Sequence, residues 1–144
     1  MKITIRESEH QEEIEIVVHC REVDKRVSEL VAALSSLDKK LTGTKNGRAF
    51  VLDTTDIFYF ESVDKKTFAY AQSEVFEVPL RLYELEGRLP GNFFRASKAT
   101  IANIAKISSI MPDFNGRLEV SLTNGEKLIV SRQYAQNLKT KLEL

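Results

Sequence analysis

Three Asn-Gly dipeptides, at 46–47, 115–116 and 124–125, constrain this chain more than any other feature. Asn and Gly tolerate the left-handed backbone that a tight two-residue hairpin turn demands, so each dipeptide reads as a hairpin tip. Short runs of strand formers surround them. These runs predict strands at Arg48–Leu52, Arg117–Leu122 and Glu126–Val130. Further strands are expected at Ile57–Glu61, Thr67–Ala71, Val75–Val78 and Ile107–Met111, with Ser62-Val63-Asp64-Lys65-Lys66 as the turn between the first two. Short strands repeatedly closed by tight turns imply a mostly β domain with few helices.

Two helices belong to that domain. Pro79 suits a first helical turn, Leu82, Leu85, Glu86 and Leu89 carry the helix to about Arg88, and Pro90-Gly91 stops it. The closing helix runs from about Arg132 to Leu142, with Tyr134, Leu138 and Leu142 spaced for one buried face. The N-terminal region reads differently. Ile3 and Ile5 alternate within residues 2–6, and residues 13–20 alternate before turning apolar, so two paired strands are expected. Asp24 is a good N-cap for a helix over Lys25–Ser36, where Val27, Leu30, Val31 and Leu34 recur at helical spacing. The expected organisation is a β-β-α appendage over 1–37 and a main domain over 38–144. The appendage is too small to stand alone. Its apolar face needs cover, either from its own domain as a cap or from a second copy in a homodimer.

Charge is uneven between the two parts. The whole chain is formally neutral, but residues 1–37 hold five Lys/Arg against eight Asp/Glu, while residues 38–144 hold sixteen against thirteen. A mildly basic domain with an acidic appendage fits nucleic-acid binding by one local face, although so small an asymmetry is common in ordinary proteins. Catalytic and metal constellations are missing. Cys20 is alone, His10 and His19 are too few for a metal site, and there is no Gly-rich phosphate loop or nucleophile elbow. Asp53 and Asp56 flank a turn and read as turn formers. The expectation is a protein that is not an enzyme and has no cofactor or small-molecule substrate. The start lacks a secretory apolar region, no run is long enough to span a bilayer, and the lone cysteine forms no internal disulfide. These features together point to the cytoplasm.

The most informative segment is Phe93–Ile107. An apolar pair and a row of Ile101, Ile104 and Ile107 enclose Arg95-Ala96-Ser97-Lys98-Ala99-Thr100, which carries two cations, two hydroxyls and no acid. Such side chains are phosphate donors, and small residues permit close backbone approach. On pattern alone it also reads as a solvated loop between a strand and a helical turn. Two other segments accompany it: Asp56-Ile57-Phe58-Tyr59-Phe60-Glu61-Ser62, and a strand ending in Ser131-Arg132 with Tyr134 opening the last helix. In this order, over about residues 39–142, they resemble the LytTR DNA-binding domain of bacterial transcription regulators. Phe94, Arg95, Ser97, Lys98, Ile101, Asn103, Ile107, Ser131, Arg132 and Tyr134 fit the pattern.

The resemblance implies an elongated stack of small sheets that reads double-stranded promoter DNA with loops rather than a recognition helix. It places the contacts at Lys65-Lys66-Thr67, at Ser97-Lys98 and at Ser131-Arg132. Arg132 suits guanine O6 and N7, or phosphate at a helix start. Lys98 stands where an Asn is frequent in the family and cannot make the paired amide contact with adenine. Arg95 supports its loop or holds phosphate. Asn103 ties the loop backbone together, and Phe94, Ile101, Ile107 and Tyr134 belong to the core. The resemblance further implies a small membrane protein as a possible partner. The other class of reading is a protein-interaction module that keeps the fold without binding DNA.

Overall fold

The computed structural model describes residues 1–12, 14–37 and 39–144. The element order is α1 (Lys25–Leu37), β1 (Lys40–Lys45), β2 (Arg48–Asp53), β3 (Tyr59–Val63), β4 (Lys66–Tyr70), β5 (Val75–Val78), α2 (Leu82–Glu86), β6 (Phe93–Ser97), β7 (Thr100–Asn103), β8 (Ile107–Pro112), β9 (Leu118–Leu122), β10 (Lys127–Val130) and α3 (Arg132–Lys141). All the strand pairs are antiparallel. They form a seven-stranded sheet in the order β2-β1-β5-β4-β3-β7-β6 and a three-stranded sheet in the order β10-β9-β8. The β1–β2 hairpin joins the larger sheet through one register pair, Thr44 with Glu77. It closes through Asn46-Gly47, both at positive φ, as the dipeptide predicts. Next to that junction β1 passes so close to its neighbours that a Cβ on Gly43 would lie 2.6 Å from Leu52 Cδ1.

Successive residues of a strand face opposite ways, and here both faces are covered. Phe60, Phe93 and Ile101 point into one core with Leu41, Leu52, Phe76, Leu82 and Leu85. Their neighbours Tyr59, Phe94 and Ala102 point into a second core with Leu118, Val120, Leu122, Val130 and Leu138. Strands β3, β6 and β7 therefore carry apolar pairs instead of alternating with polar residues. The second core is closed by the small sheet and α3, onto which the half-buried Ile107 and Tyr134 pack. Asn103 is fully buried at the end of β7. Its Nδ2 donates to the Ile57 carbonyl at 2.9 Å, and its Oδ1 accepts from Asn92 Nδ2 at 2.7 Å and from the Ala105 N–H at 3.0 Å. It ties backbone together as expected. Asp53 is also a turn former: the N–H and hydroxyl of Thr55, with Lys40, hold its carboxyl down at about 2.

Three expectations need correction. The strands expected at 2–6 and 13–20 do not form, because the described residues before Lys25 enter no ladder. Ile3, Ile5, Ile14, Ile16 and Val17 are exposed instead. Alternation marks a face that a sheet could bury, but a strand also needs a ladder, and an isolated two-stranded hairpin is marginal in water. Glu13, the first residue of the second expected strand, and Asp38, at the expected boundary, lie outside the described residues. The helix of that region does form, with Asp24 Oδ1 accepting the Val27 N–H at 3.0 Å. Second, α2 is shorter than Pro79–Arg88. The Glu84 carboxylate accepts the Arg81 N–H at 3.2 Å, which fixes the helix start at Arg81, still in extended backbone. Third, the polar segment after Phe94 is a β-hairpin tip and not a loop leading to a helical turn.

Candidate nucleic-acid interface

The three expected contact segments lie side by side at one end of the larger sheet, and the register puts them there. Strand β3 runs up to the tip at Asp64-Lys65, and Glu61 near its end pairs with Thr100 at the start of β7. The β6–β7 tip, Lys98-Ala99, is thus beside the β3–β4 tip, and the Ser62 N–H donates to the Ala99 carbonyl at 2.8 Å. On the far side of β6, the Ser131 N–H donates to the Ala96 carbonyl at 2.8 Å, which attaches the β10–α3 corner one residue below the same tip. At the ordinary spacing of strands the row from β3 to the corner spans roughly 15 Å.

No glycine announces the β3–β4 tip. Asp64 and Lys65 both adopt positive φ, at 51° and 66°. Left-handed backbone costs an ordinary L residue on the order of 1–2 kcal/mol, so this turn is held under strain at a place where it presents a lysine. The two lysines differ. Lys66 faces Glu77 across β4–β5 at 3.9 Å, whereas Lys65 is exposed and, among the described residues, has no acid paired with it. Thr67 is buried, 5 % exposed, in β4. It reaches the surface only as part of the lining of a shallow pocket of about 200 Å³ between the two tips.

Arg95 shapes the neighbouring tip. Its Nε donates to the Ser97 carbonyl at 2.8 Å, one terminal nitrogen donates to the Lys98 carbonyl, and the other pairs with Glu86. One planar fork thereby fixes two carbonyls of the turn and one carboxylate of α2, a task that suits guanidinium geometry. The register shifts between Arg95 and Ser97, and the bulged residue Ala96 supplies the carbonyl that Ser131 uses. The Ser97 hydroxyl accepts from the Ala99 N–H at 3.2 Å, a local turn bond, and Lys98 is left exposed at the apex. These bonds serve the supporting role, one of the two expected for Arg95.

At the corner, Ser131 and Arg132 behave oppositely. Ser131 is the N-cap residue of α3, yet its hydroxyl makes no cap bond and is buried without a partner among the described residues. Arg132 is exposed at the first helical position. Its aliphatic stem lies over Gly116 in the β8–β9 turn, where a Cβ would approach Arg132 Cγ to 3.2 Å. Its guanidinium forms no ion pair or hydrogen bond among the described residues.

The same pocket between the tips brings in a residue that sequence reasoning missed. Arg81 lines it with Ser62, Lys65, Thr67, Arg95 and Lys98. Val78, three residues before Arg81, pairs with Thr67 at the start of β4, which puts the end of β5 at this end of the sheet. Among the described residues no cluster of metal-binding side chains is present, and no helix is long and apolar enough to cross a membrane.

Comparison with known proteins agrees with this architecture. The chain is 28% identical over its full length to an uncharacterized HTH-type transcriptional regulator of Staphylococcus aureus strain NCTC 8325, covering 99% of that protein. The corresponding protein of Staphylococcus aureus strain MRSA252 is 27% identical with the same coverage. Among solved structures, a LytTr DNA-binding domain from Bacillus cereus superposes with a TM-score of 0.70 at 28% identity, covering 74% of this chain and 98% of that one. The name of the relatives speaks of a helix-turn-helix, but in this chain five strands separate α2 from α3. The sequence model of the LytTr DNA-binding domain family matches residues 47–143, and the chain belongs to that family.

Proposed function

We propose that this DNA-binding transcription regulator works in the cytoplasm and reads double-stranded promoter DNA with a row of loops. The observation that carries the reading is the placement of Lys65, Lys98 and Arg132 along one end of the larger sheet, each exposed and without an acid paired to it among the described residues. Lys65 and Lys98 neutralise phosphate, and Arg132 reads a base edge in the major groove, guanine being its natural partner. Ser97 and Arg95 hold the Lys98 tip in shape, and Lys66 and Ser131 support their neighbours. A gel shift with duplexes selected from a random pool tests this directly. Expected is a small set of enriched sequences whose affinity falls steeply as salt rises. No binding, or binding without salt dependence, would favour an interaction module that retains the fold.

A homodimer on DNA is the second part of the reading. The stripe on α1 supports it: Val31 is 47% exposed, and none of Val27, Leu30, Val31 and Leu34 enters either core cluster. Pairing two copies through this acidic region would set two basic domains on neighbouring half-sites. Light scattering on the intact protein, with and without target duplex, should give a dimer, and Leu30→Asp should return it to a monomer. A monomer under both conditions at tens of micromolar would remove dimerisation from the proposal.

A further inference from the structure

The pocket between the two hairpin tips is cationic on every side that carries charge. Lys65 stands at one tip, Lys98 at the other, and Arg81 closes the third side from the segment between β5 and α2. Among the described residues no acid lines it, and its lining includes the hydroxyl-bearing residues Ser62 and Thr67. The fold employs Arg95 on this wall, through its bonds to Ser97, Lys98 and Glu86. It does not employ the side chain of Arg81. That guanidinium makes no hydrogen bond or ion pair among the described residues, and the contacts that start α2 come from the Arg81 backbone. Three unneutralised cations converging on a hollow of about 200 Å³ repel one another unless an anion sits between them. A phosphate group has the right charge, takes donors from several sides, and pairs with Arg through two nitrogens at once.

We infer that Arg81, together with Lys65 and Lys98, clamps one backbone phosphate of the bound duplex between the β3–β4 and β6–β7 tips. The inference rests on the DNA reading above and adds to it a contact from outside the recognised loops. A phosphate gripped there fixes how far the two tips descend toward the bases. It carries no sequence information itself. Arg81 is a positioning residue for the register of the base contacts.

The test compares wild-type protein with Arg81→Ala, Arg81→Glu and Arg81→Lys by salt titration of duplex binding, using a selected sequence and a scrambled one. Alanine keeps the backbone bonds of α2, so the melting temperature should hold. Expected is an equal several-fold loss of affinity for both sequences, with the slope of log K against log salt shallower by about 0.9, the value of one phosphate contact. Arg81→Glu should lose more, and Arg81→Lys should restore the slope. Unchanged slopes in Arg81→Ala and Arg81→Glu beside a steep wild-type slope would overturn the clamp and leave the DNA reading standing. A flat wild-type slope would overturn both. Inorganic phosphate offers a separate arm at matched ionic strength. If low-millimolar phosphate erases the difference between wild type and Arg81→Ala, the pocket is a free-anion site and its assignment to DNA falls.

Discussion

The β6–β7 tip and the β10–α3 corner each carry one arginine, and the fold treats the two in opposite ways. Arg95 commits three of its five N–H donors to its own chain, two to carbonyls of the tip and one to Glu86. Arg132 rests its stem on Gly116, and its head group has no ion pair or hydrogen bond among the described residues. The first shapes a surface and the second is available to use one. An arginine in a recognition motif is thus no evidence of contact until its donors are accounted for, since an N–H group already bonded inside the protein is not available to a base.

The largest test of that contrast is Arg95→Ala. It removes three charge-assisted bonds, leaves the Ser97 and Lys98 carbonyls without their donor, and frees Glu86. Loss of about 2–3 kcal/mol of folding stability is expected, with DNA affinity falling for every sequence because the Lys98 tip loses its shape. Thermal melting and binding should change together. Arg95→Lys should rescue little, since an ammonium cannot reproduce a planar fork. An unaltered melting temperature would mean that the bonds at this tip contribute nothing net.

Arg132→Ala should show the reverse pattern. Melting stays near wild type, while specific binding weakens by roughly 1–3 kcal/mol and preference relaxes at one base pair. Competition between the selected duplex and single-position variants of it measures both. If selectivity survives while affinity drops uniformly, Arg132 holds phosphate and the base reader lies elsewhere.

Gly116→Ala attacks the same arginine without touching its charge. Gly116 has a φ of 79°, where alanine is strained, and the added Cβ would press on the Arg132 stem at 3.2 Å. A stability loss of about 1 kcal/mol is expected from the backbone. Displacement of Arg132 should lower selectivity with the salt slope preserved, which separates position from charge. A selectivity equal to wild type would show that the stem slides aside.

How much of this was legible beforehand depends on how far apart the deciding atoms are in sequence. The hairpin at Asn46-Gly47 could be read directly because the turn and its residues are local. The tip at Asp64-Lys65 adopts the same backbone signs without a glycine, so the turn was visible but its strain was not. Residues 2–6 misled because alternation describes a face and says nothing of a partner strand. Arg95 leaves two roles open in sequence, and the bonds that support the tip depend on the Ser97 and Lys98 carbonyls, whose positions follow from the Ala96 bulge. Arg81 gave no signal at all. It precedes an ordinary short helix, and the register of β4 with β5 brings it to the contact end. The pair Phe93-Phe94 reads as core, but that its two residues feed separate cores follows from the small sheet and α3 covering the second face.

The smallest test repeats the contrast between tied and free cations within one hairpin. Lys65 and Lys66 are adjacent and equal in charge, and sequence alone treats them alike. In the fold Lys66 shares its charge with Glu77 at 3.9 Å, while Lys65 projects from the strained tip into the pocket beside Lys98. An exposed ion pair of this kind contributes at most about 1 kcal/mol, but it lowers the field that Lys66 offers to a phosphate. Lys65→Ala should therefore flatten the salt slope by nearly one phosphate contact, and Lys66→Ala by much less. Removing the acid supplies the cross-check. Glu77→Gln should release Lys66 and strengthen binding to all sequences slightly, an effect that disappears when Lys66→Ala is added. Equal slopes for the two single lysine variants would mean that the ion pair opens when DNA arrives, and that both lysines of the tip then face the duplex.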